Sequence, residues 1–380
     1  MNKRLFCTLL MLNLVAVFST GCWNYREINQ MSIVAGAAID KAPNGKYKVS
    51  IEIIDLKTGG TEAKVKTKKV ETYGDSVVDA VRNAISFNAN TLYWGHTEII
   101  IISKDIAEEG IVQILDCFSR DAEPRLSMDI LVSKEDTAEE ILDSQSITTE
   151  VRTFEINKIL DIEKRLGKSL KVEIYQFINA LGETGISPIM PVIGLTINSE
   201  EKTSELSGTA VFKGDKLAYM FGQEDTQYFL FVNNKIHEGV LVVNNDDDNI
   251  TLRIIKNKTK LKPVYNNGKL HFDIYIKTKV ALSEINKSTK LENVEDIDKI
   301  QKIAEKYLKN KVESVIKAVQ NEYGIDIFGF GRSVRQDFPN LWKEINPDWD
   351  NVFKNVPVNV NVEIQVKNSG LLSKKIVIGD

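Results

Sequence analysis

Cysteine is scarce in this chain, with three residues in 380. Cys7 lies inside an apolar N-terminal run and Cys22 directly follows that run, which leaves Cys117 for the rest of the chain. A single remaining thiol excludes an intramolecular disulfide framework. Cys117 lies on the apolar face of a predicted helix, where a free thiol behaves as a small buried hydrophobe. The folded chain must therefore be stabilised by its hydrophobic cores.

Histidine is equally scarce, and the usual catalytic motifs are absent. His96, His237 and His271 do not form metal-ligand spacing with one another or with Cys117. The sequence has no Ser-His-Asp arrangement, paired-carboxylate motif or CxxC, and the glycines of Phe328–Arg332 are not followed by the Lys-Ser/Thr of a P-loop. These absences predict a protein that is not an enzyme and holds no metal or other cofactor.

Long apolar runs and clustered positive charge are missing after residue 18. No later stretch is long and apolar enough to cross a membrane. The formal net charge is -4, and no Lys/Arg cluster marks a nucleic-acid surface. With 43% hydrophobic and 27% charged residues the composition is that of a globular protein. A chain of this length is expected to divide into two or three domains.

The first 23 residues carry the clearest signal. Lys3 and Arg4 precede the apolar run Leu5–Phe18, and small residues then lead to Gly21-Cys22-Trp23. This order is typical of a secretory signal peptide covering residues 1–21, and its end resembles a bacterial lipobox, in which Cys22 would carry the lipid. The alternatives are a cleaved signal with a chance cysteine, or an uncleaved anchor. About 14 apolar residues are short of the ~20 that a spanning helix needs.

Residues 22–200 form the predicted N-terminal region. Strands Ser32–Asp40 and Tyr47–Ile54 flank the turn residues Pro43-Asn44-Gly45, which predicts a hairpin. From about 76 to 150 helices and strands alternate, which is typical of a separate α/β unit. The strand Met190–Asn198 is expected to return to the sheet of the first hairpin. The first domain would then comprise 31–75 plus about 151–200, with a second domain, about 76–150, inserted.

The C-terminal half has a different character. A polar segment at 199–205 is the predicted linker, and consecutive strands follow it. One long helix, about Val294 to Tyr323, carries an apolar stripe and is expected to stop at Gly324. The strand from Val356 to Val366 alternates apolar and polar side chains. Residues 205–380 are therefore predicted to form an α+β domain, an antiparallel sheet packed against a long helix, within a multi-domain α+β chain.

Several blocks of residues together resemble one family, the Ger(x)C spore germination lipoproteins. In the family's order they are Gly21–Asn29, Ile33–Lys41, Leu92–His96, Asp105–Ala107, Phe118–Glu123, Gly208–Leu217 and Asp326–Gly331 followed by Trp342. They cover nearly the whole chain. The departures are small: Asn24 stands where the family usually has Asp, Ser19 departs from the usual lipobox Leu, and Ala218–Met220 replaces a more usual Gly-Trp-Leu.

The resemblance implies the C subunit of a spore germinant receptor with three mixed α/β domains. Such a subunit is a lipoprotein, anchored through an acylated cysteine to the outer face of the spore inner membrane. It assembles with integral membrane A-type and B-type subunits and supports nutrient-triggered germination. Nucleic acid is not among the implied partners. Cys22 is the implied site of lipid attachment.

Two further sets of residues are candidate partner contacts. Arg120 and Asp121 form a charged helix exit, for which a local ion-pair cluster at the surface is favoured and a partner contact is the alternative. Phe328, Phe330 and Arg332 belong to a turn for which internal packing by the phenylalanines is favoured and a partner contact is the alternative.

Two other functions compete with the receptor subunit. A solute-binding lipoprotein of a transporter would usually have two similar doubly wound lobes, which the C-terminal half does not fit. A cell-wall or lipid-modifying enzyme would need a catalytic constellation that the sequence lacks.

Overall fold

The computed structural model describes residues 30–55, 65–245, 248–285 and 294–368, and the isolated positions Arg4, Thr8, Met11 and Glu27. Cys22 and the end of the predicted signal peptide lie outside the described residues. Within the described part, no helix is both long enough and apolar enough to cross a membrane.

Two sheets and eleven α-helices make up the described chain. The strands are β1 (Met31–Lys41), β2 (Tyr47–Asp55), β3 (Lys66–Gly74), β4 (Thr91–Tyr93), β5 (Ile99–Ile102), β6 (Asp129–Ser133), β7 (Ile189–Asn198), β8 (Glu201–Lys213), β9 (Lys216–Gly222), β10 (Gly239–Asn245), β11 (Asp248–Asn266), β12 (Lys269–Ile285) and β13 (Val358–Asn368). The helices are α1 (Val77–Asn83), α2 (Lys104–Glu109), α3 (Val112–Arg120), α4 (Glu139–Asp143), α5 (Arg152–Leu166), α6 (Ile174–Leu181), α7 (Gln223–Val232), α8 (Val294–Ala318), α9 (Phe330–Asp337), α10 (Pro339–Ile345) and α11 (Trp349–Asn355).

The first sheet contains the predicted hairpin. It has nine strands in the order β3-β2-β1-β5-β6-β7-β8-β9, with β4 pairing β1 outside this path. β1 and β2 pair antiparallel around a turn in which Asn44 and Gly45 both have positive φ, at 67° and 76°. Asparagine and glycine tolerate this left-handed backbone better than other residues. The predicted hairpin is therefore confirmed.

The segment predicted as an inserted domain contributes strands to the middle of this sheet. β5 pairs parallel with β1 and with β6, and β6 pairs parallel with β7. β7 lies in the same sheet as the first hairpin, as expected, and the parallel strands β5 and β6 stand between them. Parallel neighbours need a crossover connection, and α2 and α3 supply the one between β5 and β6. The domain boundaries themselves stay a prediction.

The predicted linker is a tight hairpin. β7 and β8 pair antiparallel from the Ile189–Val211 pair to the Asn198–Glu201 pair. The turn between them is Ser199-Glu200, with φ of 50° and 71°. β9 then pairs with β8, so the first sheet continues to Gly222. The predicted start of the C-terminal unit at residue 205 lies inside β8 and does not coincide with the edge of a sheet.

The second sheet has the order β10-β11-β12-β13 and packs on the long helix α8. β10, β11 and β12 are antiparallel as predicted, with Asn267-Gly268 at the β11–β12 turn. β13 departs from the prediction because it runs parallel to β12. The chain passes through four helices between these two strands, and such a crossover allows parallel pairing.

α8 covers the outer edge of β13 as well as contributing to the core. Its buried side chains include Ile300, Ala304 and Leu308. The N–H groups of Ile364 and Val366 in β13 donate to Glu305 Oε1 at 2.9 Å and to Gln301 Oε1 at 3.0 Å. An unpaired strand edge is a template for unwanted pairing, so this cover protects the sheet. A π-helical turn follows α8, and Gly324 ends it with φ 64°, as predicted.

Candidate functional site

Asp326 organises the turn that holds Phe328, Phe330 and Arg332. Its side chain is 3% exposed. Its two oxygens accept hydrogen bonds of 2.8–3.2 Å from five N–H groups, the backbone amides of Phe328, Gly329, Phe330 and Gly331 and the indole Nε1 of Trp349. Burial raises the pKa of Asp326 to about 6, while these donors act in the opposite direction. The carboxylate is therefore ionised at neutral pH and fixes the turn.

The two phenylalanines of this turn belong to the core. Phe330 is fully buried and stacks on Phe272, with ring centroids 4.3 Å apart and planes at 24°. Phe328 is 6% exposed and packs near Phe229. Their burial agrees with the internally packed alternative and removes Phe330 from any surface that a partner could reach. The sequence favours internal packing over a partner surface at this turn, although aromatic residues serve both interfaces and cores.

Arg332 contacts the loop that joins α6 to β7. Its backbone N–H donates to Gly185 O at 2.9 Å, and its Nη2 pairs with Glu183 Oε2 at 2.5 Å. Arg335 contributes a second, longer contact to Glu183 at 3.6 Å. A further backbone bond joins Ser187 N to Asp326 O at 2.7 Å. The turn therefore docks the C-terminal half of the chain onto the N-terminal half.

Arg120 and Asp121 lie at the rim of a surface groove with a volume of about 1350 Å³. This groove, called here the α1–α3 groove, is lined by side chains of α1, α3, β4 and residues 120–124. Arg120 is 78% exposed and pairs with Asp116 at 2.6 Å. Two apolar lining residues, Val78 and Ile85, are 45% and 63% exposed. The groove thus joins exposed apolar surface to a charged rim.

Cys117 lines the same groove but is not an activated nucleophile. Burial, together with the carboxylates of Asp121 and Asp116, raises the pKa of its thiol to about 11. A reactive cysteine needs the opposite shift, because the thiolate is the nucleophile. The protonated thiol is consistent with the predicted structural role.

The histidines do not converge on a metal site. His96 lies in the α1–α3 groove and contacts Tyr93 edge-to-face, with centroids 5.5 Å apart. His237 lines a different cavity, and His271 lies 3.8 Å from Asp273. Across the described ranges, no group of three or more His, Cys, Asp or Glu side chains could hold a metal ion.

A second cavity lies where the two halves of the chain meet. It has a volume of about 870 Å³ and is called here the junction cavity. Its walls come from α5, α6, residues 232–237, β11 and the turn at 327–332. Phe328 and Arg332 both line it, together with Glu163 and Lys235. No sequence motif marked this cavity, because its lining residues are far apart along the chain.

The arrangement defines a class of protein, a mixed α/β chain with two sheets, in which a carboxylate-centred turn joins the two halves and the described surface includes an apolar groove and a polar cavity. The crystal structure of the GerBC protein has a similar fold, with a TM-score of 0.59 and 22% sequence identity over 87% of this chain and 96% of that chain. The predicted fold class is confirmed.

The particular family follows from the sequence comparisons. A family described as "Spore germination protein N-terminal domain" matches residues 24–195, and one described as "Spore germination B3/GerAC like, C-terminal" matches residues 207–370. The chain therefore belongs to the GerAC family of spore germination proteins, and the resemblance stated above is confirmed.

Relatives from Bacillus subtilis match over almost their whole length. Spore germination protein KC is 24% identical over 99% of this chain and 98% of its own. Spore germination protein B3 is 25% identical over 93% of this chain and 95% of its own length. The putative spore germination protein YfkR is 26% identical over 99% of this chain and 100% of its own length.

Proposed function

We propose that this protein is the lipid-anchored, non-enzymatic C subunit of a spore germinant receptor. The observation that carries the proposal is the full-length match to named spore germination proteins in both halves of the chain. The chemistry of the described residues agrees with a role in assembly. The half-buried thiol of Cys117 is held protonated, and the carboxylate of Asp326 accepts hydrogen bonds from backbone and indole donors.

Attachment to the outer face of the spore inner membrane would depend on Cys22. The first strand begins at Met31, so a short tether separates the proposed lipid from the folded part. Nine residues can extend over roughly 30 Å at most. A diacylglyceryl group with a further acyl chain gives stable anchoring, which a single chain does not. The folded part would therefore be held close to the bilayer and to its membrane partners.

Assembly with the A-type and B-type subunits requires a docking surface. The α1–α3 groove is suited to this role because exposed apolar side chains lie beside the charged Arg120 and Asp121. Apolar surface rimmed by polar residues is typical of protein interaction sites. The alternative of a transporter's solute-binding lipoprotein fits less well, because a nine-stranded and a four-stranded sheet do not form two similar lobes.

The test is dipicolinate release from spores of the native host. Spores lacking the protein, and spores carrying Cys22→Ala, are challenged with a panel of amino acids, sugars and nucleosides. Cys7→Ala is the matched control, because it changes a cysteine inside the predicted signal peptide without touching the lipid site. Loss of response to particular nutrients in the deletion and in Cys22→Ala, but not in Cys7→Ala, is the expected result.

Other outcomes separate the parts of the proposal. A defect in the deletion alone would keep the receptor role and remove the need for the lipid. Normal release in both strains, in a host stripped of paralogous receptors, would overturn the receptor role.

A further inference from the structure

The junction cavity contains a buried carboxylate that no protein group satisfies. Six acidic residues are buried in the described part of the chain. Five of them accept hydrogen bonds from backbone or side-chain donors, namely Asp40, Glu52, Asp129, Glu155 and Asp326. The sixth, Glu163 on α5, is 8% exposed and lines the cavity. Among the described residues none donates a hydrogen bond to its carboxylate or forms an ion pair with it.

Such a carboxylate is unfavourable unless something pairs with it. A buried ionised group without a partner loses hydration by water and gains no compensating contact with the protein. Burial accordingly raises the pKa of Glu163 to about 7, although Lys164, Lys235 and Lys171 lower it. The carboxylate therefore lies in the cavity and can accept hydrogen bonds from a ligand.

Lys235 supplies the opposite charge in the same cavity. It follows α7, is exposed and lines the cavity, and the described residues form no ion pair with its ammonium group. The surrounding protein and the nearby Arg332 lower the pKa of Lys235, whereas Glu163 raises it. The carboxylate and the ammonium group thus influence each other but do not form an ion pair.

Two neighbouring side chains also hold unsatisfied polar atoms. Asn233 donates its Nδ2 to Ile327 O at 3.1 Å, and its Oδ1 has no partner in the described structure. Arg332 binds Glu183 through Nη2, while its Nε is likewise without a partner among the described residues. The cavity wall is therefore polar and incompletely paired.

We propose that the junction cavity binds a small zwitterion of the α-amino-acid type, with its ammonium group at Glu163 and its carboxylate at Lys235. The volume of about 870 Å³ lies within the range of small-molecule sites, about 300–1000 Å³. The apolar lining residues Leu170, Phe177 and Leu230 provide surface for an apolar substituent. The proposal depends neither on the lipid anchor nor on the receptor partners.

Ligands with a single charge fit the cavity less well. A simple anion at Lys235 would leave Glu163 unpaired and repel it, and a simple cation at Glu163 would do the same to Lys235. A divalent metal ion at Glu163 would be repelled by the ammonium group of Lys235, and in the described ranges no three His, Cys, Asp or Glu side chains are grouped to hold one. A zwitterion satisfies both groups at once.

Isothermal titration calorimetry on the full-length chain in detergent tests the proposal. The probes are glycine, L-valine and L-phenylalanine, compared with acetate, methylammonium and N-acetylvalinamide. We expect saturable binding of at least one zwitterion and none of the three analogues at millimolar concentrations. Glu163→Gln and Lys235→Gln are each expected to weaken binding roughly tenfold or more, as loss of a charge-assisted hydrogen bond does.

Matched controls are available on exposed positions outside the cavity. Glu150→Gln and Lys262→Gln make the same chemical changes at exposed residues and should leave the affinity unchanged. Saturable binding that is equally strong in Glu163→Gln and Lys235→Gln, or an absence of zwitterion binding to a wild-type chain that unfolds cooperatively, would overturn the proposal.

A protonation measurement separates ligand contact from a structural effect. Glu163 is partly protonated near pH 7 because of its raised pKa, so binding of an ammonium group should release protons there. The charged or titratable groups that line the cavity around it are Lys164, Lys171, Lys235, Arg332, Asp161, Glu173 and His237. Calorimetry in two buffers of different ionisation enthalpy measures the release. The release should disappear in Glu163→Gln, and its persistence there would overturn the assignment of Glu163.

Discussion

Trp349 donates its indole Nε1–H to Oδ2 of Asp326 at 3.2 Å, and this bond joins α11 to the turn that begins α9. Trp349 is itself 7% exposed and contacts Trp342 at a ring-centroid distance of 5.2 Å. The Asp326–Gly331 motif therefore has a physical role. Its aspartate gathers backbone and indole donors, and its glycines let the turn approach neighbouring chain closely.

Asp326→Asn should destabilise the protein strongly. The amide Nδ2 of asparagine is itself a donor and would face N–H groups whose hydrogen bonds the carboxylate now accepts. Some of these buried N–H groups would be left without an acceptor. The expected loss is about 2–4 kcal/mol, since hydrogen bonds to a charged group contribute about 1.5–3 kcal/mol each. Urea unfolding of the purified chain measures it, with the exposed Asp337→Asn as control. An unchanged unfolding midpoint for Asp326→Asn would show that the turn does not depend on the carboxylate.

Gly331→Ala should be destabilising because there is no room for a side chain. An added Cβ would lie 2.6 Å from Gly185 Cα and 2.8 Å from ring atoms of Trp342 and Trp349. Overpacking of this kind costs about 1–3 kcal/mol. Gly222→Ala is the control, because nothing lies within 4 Å of its added Cβ. Equal melting temperatures for the two variants would contradict this account of the docking contact.

The stability of Glu163→Gln relative to wild type should depend on pH. The pKa of Glu163 is raised from 4.5 to about 7 in the folded state, so folding favours the protonated form. The destabilising effect of ionisation is absent below about pH 4.5, develops between 4.5 and 7, and is complete above 7. The glutamine variant should therefore melt at a higher temperature than wild type at pH 8 and at a similar temperature near pH 4.5. Thermal unfolding over this range, without ligand, measures the difference, and Glu150→Gln should show no such trend.

Substitution of Arg120 should affect function rather than stability. Its side chain is 78% exposed and its pair with Asp116 is a surface ion pair, which contributes little to stability. Arg120→Glu should leave the melting temperature unchanged and reduce co-purification with the membrane subunits, if the α1–α3 groove contacts them. Lys104→Glu, on a different exposed helix surface, is the control. Undiminished co-purification of Arg120→Glu would remove this residue from the proposed interface.

Local sequence signals predicted much of the secondary structure. Serine is a favoured N-cap residue, and Ser76 accepts a bond from Asp79 N at 3.1 Å where α1 begins. Glycine is a favoured C-cap residue, and Gly167 ends α5 with φ 66°. Thr137 and Glu140 have the spacing of a capping box and form reciprocal bonds of 3.2 and 3.3 Å. These features depend on residues a few positions apart, which is why a single sequence reveals them.

Two local segments were not predicted well, for identifiable reasons. The polar run at 199–205 has no apolar periodicity, which predicts a linker, and Ser199 and Glu200 are unusual residues for the positive-φ turn found there. α7 was not predicted at all, since its residues from Thr226 to Val232 are buried and leave no polar face to give a helical period.

The sequence by itself determined the family, the local elements and their caps, and the mixed α/β class, because each rests on residue type and short-range spacing. The tertiary structure alone decided the order of strands in the first sheet and the internal position of Phe330. It also decided the pairing of Glu183 with Arg332, 149 residues apart in sequence, and the meeting of Glu163 with Lys235. Such long-range contacts arise from the packing of apolar surfaces across the whole chain, and no short stretch of sequence encodes which distant charges that packing brings together.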